Sequence, residues 1–241
     1  MKRVILMLIT LMTVFSLWAF QFSPLEKTFT PSGEGSQGTY TIVNDTDDSI
    51  AVSLSVVQRD QDASGAEIRK ECREFQISPS KVVVAPQSSM VVRVKYLGSS
   101  TVTVEKPYRL MAEQIPYSQG KAQTEGAMFN FLFVYATSLY VEPSDKVVQV
   151  DVPKVSSHTD EEGTRWLDVT VRNRGNVHQI LLDATLTVKD NKGNQVTLEG
   201  DRMEGISGFN LLARKTVTKS IPWPEELEGP SLTGTLKYST Q

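Results

Sequence analysis

Apolar and polar residues alternate with a period of two along most of this chain. Ile50 to Val57 sets Val52, Leu54 and Val56 against Ala51, Ser53 and Ser55. Val91-Val-Arg-Val-Lys-Tyr96 and Pro107-Tyr-Arg-Leu-Met-Ala-Glu-Gln-Ile115 alternate in the same way. Successive side chains of a strand point to opposite faces of a sheet, so this period predicts strands with one buried face. Shorter runs, Thr39–Val43, Phe75–Ile77 and Val82–Val84, stop at turn-forming residues: Asn44-Asp-Thr-Asp-Asp48, Ser78-Pro79-Ser80 and Ala85-Pro86-Gln87. No window beyond the N-terminal leader sustains a 3.6-residue apolar repeat. About seven short strands at this spacing predict a β-sandwich of immunoglobulin type.

The pattern halts at Pro143-Ser-Asp-Lys146 and then restarts. Val147–Val152, Trp166–Val171, Ile180–Val188, Gln195–Leu198, Thr216–Ile221 and Leu232–Tyr238 predict a second, smaller all-β unit. Asn173-Arg-Gly-Asn176 and Asp190-Asn-Lys-Gly193 are its turns. The connection is short, which favours two sandwiches at a fixed angle over a loose tether. The chain is thus expected to divide into a leader at 1–19, one domain at 20–143 and a second at 144–241.

One segment departs from ordinary alternation. In Gly126-Ala-Met-Phe-Asn-Phe-Leu-Phe-Val-Tyr-Ala-Thr-Ser138, a large aromatic stands at every second position: Phe129, Phe131, Phe133 and Tyr135. The row is either the buried face of a core strand or a face offered to another chain.

Lys2 and Arg3 precede an apolar run from Val4 to Trp18 and the small residue Ala19. This is the layout of a secretory leader, too short and too close to the N-terminus for a membrane span, so the mature protein is expected to start near Phe20. The net charge of −3 lacks the concentrated positive field of a general nucleic-acid binder. Cys72 is the single cysteine, so an exported form rests on packing without an internal disulfide. His158 and His178 have no neighbours at metal-ligand spacing, and no serine sits in a nucleophile motif. Neither enzyme chemistry nor a cofactor is expected.

Two stretches resemble a known family. They are Ile77-Ser-Pro-Ser-Lys-Val-Val-Val-Ala-Pro-Gln-Ser-Ser-Met-Val-Val-Arg-Val-Lys-Tyr96 and Tyr108-Arg-Leu-Met-Ala-Glu-Gln-Ile-Pro116. Their proline punctuation and closing Glu-x-Ile-Pro are similar to the periplasmic pilus-assembly chaperones of the chaperone–usher pathway, the PapD-like superfamily. Leu167-Asp-Val-Thr-Val-Arg-Asn-Arg-Gly-Asn-Val-His178 resembles that family's Asn-x-Gly-Asn turn, and Leu211-Leu-Ala-Arg-Lys-Thr its Leu-Leu-Pro-Gly region without the Pro-Gly.

The resemblance implies two immunoglobulin-like domains in a boomerang-like arrangement. It implies a donor strand carrying Phe129, Phe131, Phe133 and Tyr135 into the groove of an incomplete pilus subunit, as in the chaperone–pilin mode of strand addition. Delivery to an outer-membrane usher would follow. No nucleic-acid partner or stable membrane insertion is implied, and self-association through an exposed donor strand is a further expectation. The family fixes the subunit's C-terminal carboxylate on two cations. Lys27 lies at the first of these positions and Ser138 at the second, so Arg109, on the preceding strand, is the candidate substitute. An ordinary cross-strand pair is the plainer role for Arg109. Glu142 stands where many members carry an arginine that ties the domains, which suggests a divergent member nearer the archaic branch.

A secreted immunoglobulin-like structural or adhesive subunit is the alternative, though pilin subunits usually have one domain and often a disulfide. A hydrolase on a sandwich scaffold would need a catalytic constellation that these residues do not supply.

Overall fold

A computed structural model describes residues 20–117 and 132–240. Residues 1–19, Phe129 and Phe131 lie outside the described residues. The first part of the chain holds ten strands: β1 (Gln21–Ser23), β2 (Glu26–Phe29), β3 (Gln37–Asn44), β4 (Ile50–Gln61), β5 (Glu67–Glu71), β6 (Phe75–Ser78), β7 (Lys81–Val84), β8 (Ser88–Tyr96), β9 (Lys106–Ile115) and β10 (Val134–Val141). They form two sheets. One has the order β1-β3-β8-β6; the other runs β2-β10-β9-β4-β5, with β7 also paired to β4. The alternating residues decide the core. Val52, Leu54 and Val56 of β4 and Leu110 and Ala112 of β9 face Tyr40, Ile42, Val92 and Val94 of the other sheet. Full burial of each larger aliphatic contributes about 1.5–3 kcal/mol.

The N-terminal strand changes sheets. β1 pairs with β3, and after Pro24 and Leu25 the chain becomes β2 on the opposite sheet, parallel to β10. The hairpin from β4 to β5 escaped the alternation signal. Glu67-Ile-Arg-Lys-Glu71 is mostly charged, as suits an edge strand that discourages further pairing.

The second part holds β11 (Val150–Thr159), β12 (Arg165–Asn173), β13 (Gln179–Ile180), β14 (Leu182–Asp190), β15 (Gln195–Leu198), β16 (Asn210–Leu211), β17 (Thr216–Pro222) and β18 (Leu232–Ser239). A six-stranded sheet, β15-β14-β18-β11-β12-β17, shares its core with the ribbon β13-β16. The fold is therefore all-β and built as two β-sandwiches. β11 begins later than the alternation indicates and runs further, to Thr159. Its ladder with β12 is irregular between Asp151 and Lys154, where Pro153 cannot donate.

Each sandwich pins a turn with a buried asparagine. Asn44 Nδ2 donates to the carbonyls of Asp48, Val84 and Ala85, while its Oδ1 accepts from Thr46 N. Asn173 Nδ2 donates to Val177 O and Leu211 O, and its Oδ1 accepts from Gly175 N. Gly175 is required there by proximity: a Cβ would strike the Val147 carbonyl.

A polar seam joins the two units. Gln61 Nε2 donates to Asn210 O at 2.7 Å, and Leu212 N donates back to Gln61 Oε1 at 3.0 Å. Asn176 Nδ2 reaches Thr103 O and Asp145 O. The fully buried Glu105 carboxylate meets His178 Nδ1 at 2.8 Å, and the His178 ring stacks on Tyr140 with centroids 3.9 Å apart. Glu142, at the family's tying position, pairs locally with Lys146 at 2.5 Å. The seam thus uses other residues than an arginine at position 142.

Asn173→Ala would strand two buried carbonyls and one N–H. It is expected to lower unfolding stability by about 1–3 kcal/mol or more. Urea denaturation at 25 °C measures this, and a loss below about 0.5 kcal/mol would show that water replaces the amide.

Candidate functional site: the open edge of β10

β10 takes in Tyr135, the last residue of the aromatic row, and Phe133 lies just before its first residue. Its inner side pairs with β9 along its whole length, from Val134↔Glu113 to Val141↔Lys106. The pairing extends one residue back, since Gln114 N donates to Phe133 O at 2.9 Å. The outer side differs. β2 covers it only from Ser138↔Glu26 to Val141↔Phe29. Among the described residues, Val134–Thr137 has no strand on its outer edge. Leu132 and Val134 beside this bare edge are 48% and 57% exposed. Unpaired backbone groups flanked by exposed apolar residues are a template for another chain.

Phe133 and Tyr135 sit on the core-facing side. Both are partly buried and pack against the first core. The Tyr135 ring meets Phe20 edge-on at 4.9 Å, and its hydroxyl donates to Phe20 O at 2.5 Å. The core-strand reading therefore describes Tyr135, with Phe133 at the rim of the same core. Phe129 and Phe131, earlier in the row, lie outside the described residues.

The two candidate cations flank the point where β2 begins. Lys27 is in register with Leu139 and shares its core-facing side. Its half-buried stem lies against Gly38 of the opposing sheet, where a Cβ would collide with Lys27 Cε. Among the described residues its ammonium has no hydrogen-bond or ion-pair partner. Arg109 is in register with Ser138 on the other face of the sheet. The structure thus brings both to the end of the bare edge, but on opposite faces.

Arg109 is part of a cluster. Its Nη1 donates to Ser138 Oγ at 2.8 Å, and its Nε and Nη2 donate to Glu67 Oε2 at 3.0 and 2.7 Å. Arg69 Nε donates to Glu67 Oε1 at 2.6 Å. Arg59, 7% exposed, places Nε 2.9 Å from Glu67 Oε2 without hydrogen-bond alignment, so this contact acts through charge. Its Nη1 donates to Tyr140 OH at 3.1 Å, which also accepts from Asn210 Nδ2 at 2.8 Å. Burial pushes the Glu67 carboxyl up. Hydrogen bonds from Arg109 and Arg69, with the charges of Arg109 and Arg59, outweigh burial and bring it down to about 2.

Sequence reading missed Glu67, Arg59 and Arg69. Only the unusual charge density of residues 67–71 could have indicated them. It also passed over Glu105 and His178 as a contact, because their pairing needs the two units to meet. No group among the described residues could hold a metal ion.

The pili and flagellar-assembly chaperone family, PapD N-terminal domain, matches residues 28–146, the segment that contains β10 and the cluster. The N-terminal sandwich belongs to this family of PapD-type pili and flagellar-assembly chaperones. The two-sandwich fold is that of pilus chaperones of the chaperone–usher pathway. Solved structures similar to this chain cover both its sandwiches. One is the class 5 fimbriae chaperone CfaA, with TM-score 0.56, 12% identity and coverage of 92% of this chain and 100% of that one. A chain from the chaperone–tip adhesin complex of CFA/I fimbriae gives TM-score 0.58 and 13% identity, covering 91% and 98%. A chain from the CsuC–CsuE chaperone–tip subunit pre-assembly complex of Acinetobacter baumannii archaic Csu pili gives TM-score 0.59 and 15% identity, covering 90% and 97%. At these identities the likeness speaks for the fold. No curated protein matches the chain in sequence.

Glu67 also sets an expectation for acid. Its folded value near 2 lies below the ordinary 4.5, so its contribution is complete above 4.5 and is lost as pH falls through about 2. Glu67→Gln is expected to flatten the fall of the thermal midpoint in that window. An unchanged acid slope would mean that the cluster does not couple to folding.

Proposed function

We propose that this chaperone captures incomplete pilus subunits in the periplasm by strand addition along the outer edge of β10, and hands them to an outer-membrane usher. The observation that carries this reading is the bare edge at Val134–Thr137 beside exposed Leu132 and Val134. Backbone bonding along an edge is tolerant of sequence, whereas a row of alternate side chains measures how well a groove is filled. Phe129, Phe131 and Phe133 are assigned that measuring role, each ring offering about 150–250 Å² for burial. Tyr135 closes this chain's own core and ends the row.

The end of the edge suggests what arrives there. A strand running along β10 in the same direction as β2 meets β2 at Ser138. An internal segment would have to turn away, whereas a chain terminus simply stops. Its carboxylate would lie between Lys27 on one face and Arg109 on the other. Lysine acts there as a point charge and arginine as a fork. Export is assigned to residues 1–19, whose Lys2-Arg3 start and apolar run to Trp18 form a leader. The segments 20–143 and 144–241 are proposed as the two domains of the mature chaperone.

The test is co-purification of a pilus subunit from a periplasmic extract. Phe131→Glu should abolish capture while the circular dichroism of the chaperone is unchanged. Unfolding of this variant would assign the row to the core and sink the donor reading. Lys27→Ala should weaken capture by more than tenfold, because truncating one side of a buried ion pair typically costs about 3–5 kcal/mol. Lys27→Arg should retain it, and capture by Lys27→Ala at the wild-type level would remove Lys27 from the anchor. Intact mass of the same preparation should show loss of roughly the first 19 to 22 residues. A mass that includes the leader would contradict export by cleavage.

A further inference from the structure

The excess of positive charge around Glu67 has a use that the fold alone does not require. Arg59, Arg69 and Arg109 surround one carboxylate, which leaves two unit charges without an acidic partner in the cluster. Other acids stand near. Glu26 is in register with Ser138 and Glu71 with Val57, yet neither is bonded to these arginines. Arg59 is buried and committed to Tyr140, so it is scaffold. Arg69 is 46% exposed and holds the other Glu67 oxygen. Arg109 is different. Its Nη1 is fixed on Ser138, at the residue where the bare edge of β10 ends, and its remaining two bonds converge on one oxygen of Glu67.

We propose that Glu67 is a built-in stand-in for the partner's terminal carboxylate, occupying the Arg109 fork until a chain end displaces it. The proposal rests on the reading of Arg109 as an anchor given above. Three features of Glu67 suit the role. It offers the chemical group that a chain terminus would offer. It lies at the start of β5, an outer strand of its sheet whose only partner among the described residues is β4, so its side chain can swing out without breaking a ladder on a second side. It is partly exposed, at 22%, and solvent has access to the exchange. The stand-in keeps the buried flank of Arg59 neutralised and the Arg109 fork oriented before capture. Its strongly lowered pKa keeps it charged throughout the range in which a partner carboxylate is charged, so exchange is carboxylate for carboxylate. Affinity for a chain end is then a difference between two similar interactions, which favours a partner that also fills the aromatic row.

The experiment uses the mature full-length chaperone and a fluorescein-labelled peptide of alternating valine and threonine, made with a free C-terminal carboxylate and as the C-terminal amide. Binding is read by anisotropy for wild type, Glu67→Gln, Glu67→Asp, Arg109→Ala and the double variant Glu67→Gln/Arg109→Ala, each checked for folding by circular dichroism. Glu67→Gln is expected to bind the carboxylate peptide about tenfold tighter than wild type and the amide unchanged. Glu67→Asp, which keeps the charge but is shorter, should fall between. The gain should vanish in the double variant. If Arg109→Ala weakens the carboxylate peptide while Glu67→Gln binds it no tighter than wild type, Glu67 is only a structural partner and the stand-in is wrong, although the anchor stands. If neither amidation nor Arg109→Ala changes binding in any background, or neither peptide binds any variant, the anchor reading fails and the stand-in fails with it.

Discussion

β10 is bonded along all of one side and along only its last four residues on the other. That asymmetry follows from the N-terminal strand. The chain spends β1 on one sheet and β2 on the other, crossing at Pro24 and Leu25. Had β2 started four residues earlier in register, the edge would be closed and the strand would be an ordinary interior one. Instead, backbone donors and acceptors are left for a partner at the rim of a complete core. An exposed edge of this kind is a standing aggregation risk, and the chain limits it by keeping the bare stretch to four residues among those described. The opposite edge of the same sheet is treated differently. β5 carries Glu67, Arg69, Lys70 and Glu71, and charge there discourages a second chain. One edge is defended and the other is left open, which is a polarity suited to binding one strand in one place.

The charged cluster and the seam between the sandwiches are one network. Arg59 touches Glu67 on one side and donates to Tyr140 on the other; Tyr140 accepts from Asn210 of the second sandwich and stacks on His178, which is held by Glu105. Buried polar groups of this kind contribute little net stability when satisfied, but removing any one leaves the others unpaired at a cost of several kcal/mol. Their effect is to fix geometry. The end of the bare edge is thereby held at a set position relative to the second sandwich.

Much of this was legible in the sequence, because period-two burial is a local signal. β3, β4, β8, β9, β12 and β14 each bury one alternate set of side chains, and Asn44 and Asn173 mark turns by their own chemistry. What was not legible depends on register and on the meeting of distant segments. Nothing local distinguishes β5 from a polar loop, since Glu67-Ile-Arg-Lys-Glu71 has no buried face. The aromatic row could not reveal where a core face ends. Tyr135 turns inward because Phe20 and Phe22 happen to face it across the sheet switch. The placement of Lys27 and Arg109 on opposite faces required knowing that Lys27 aligns with Leu139 and not with Ser138, a shift of one residue that reverses a side chain's face.

That one-residue shift bears on how two cations can act together. A pair on the same face of a strand would form a single pocket, and either could replace the other. Cations on opposite faces cannot converge on a carboxylate buried within one layer. They can converge only on a group in the plane of the sheet, beyond the end of a strand, where both faces are accessible. The start of β2 against Ser138 is such a point, because any strand added along β10 would have to stop there. The Lys27 stem lies over Gly38, whose missing Cβ leaves room for it, and Arg109 donates to Ser138 from the neighbouring strand. The absence of a lysine at position 138 is then consistent with the geometry. A cation on β10 itself would duplicate the outer face, whereas serine is small enough to let the guanidinium of the neighbouring strand lie over it and accept one of its hydrogen bonds.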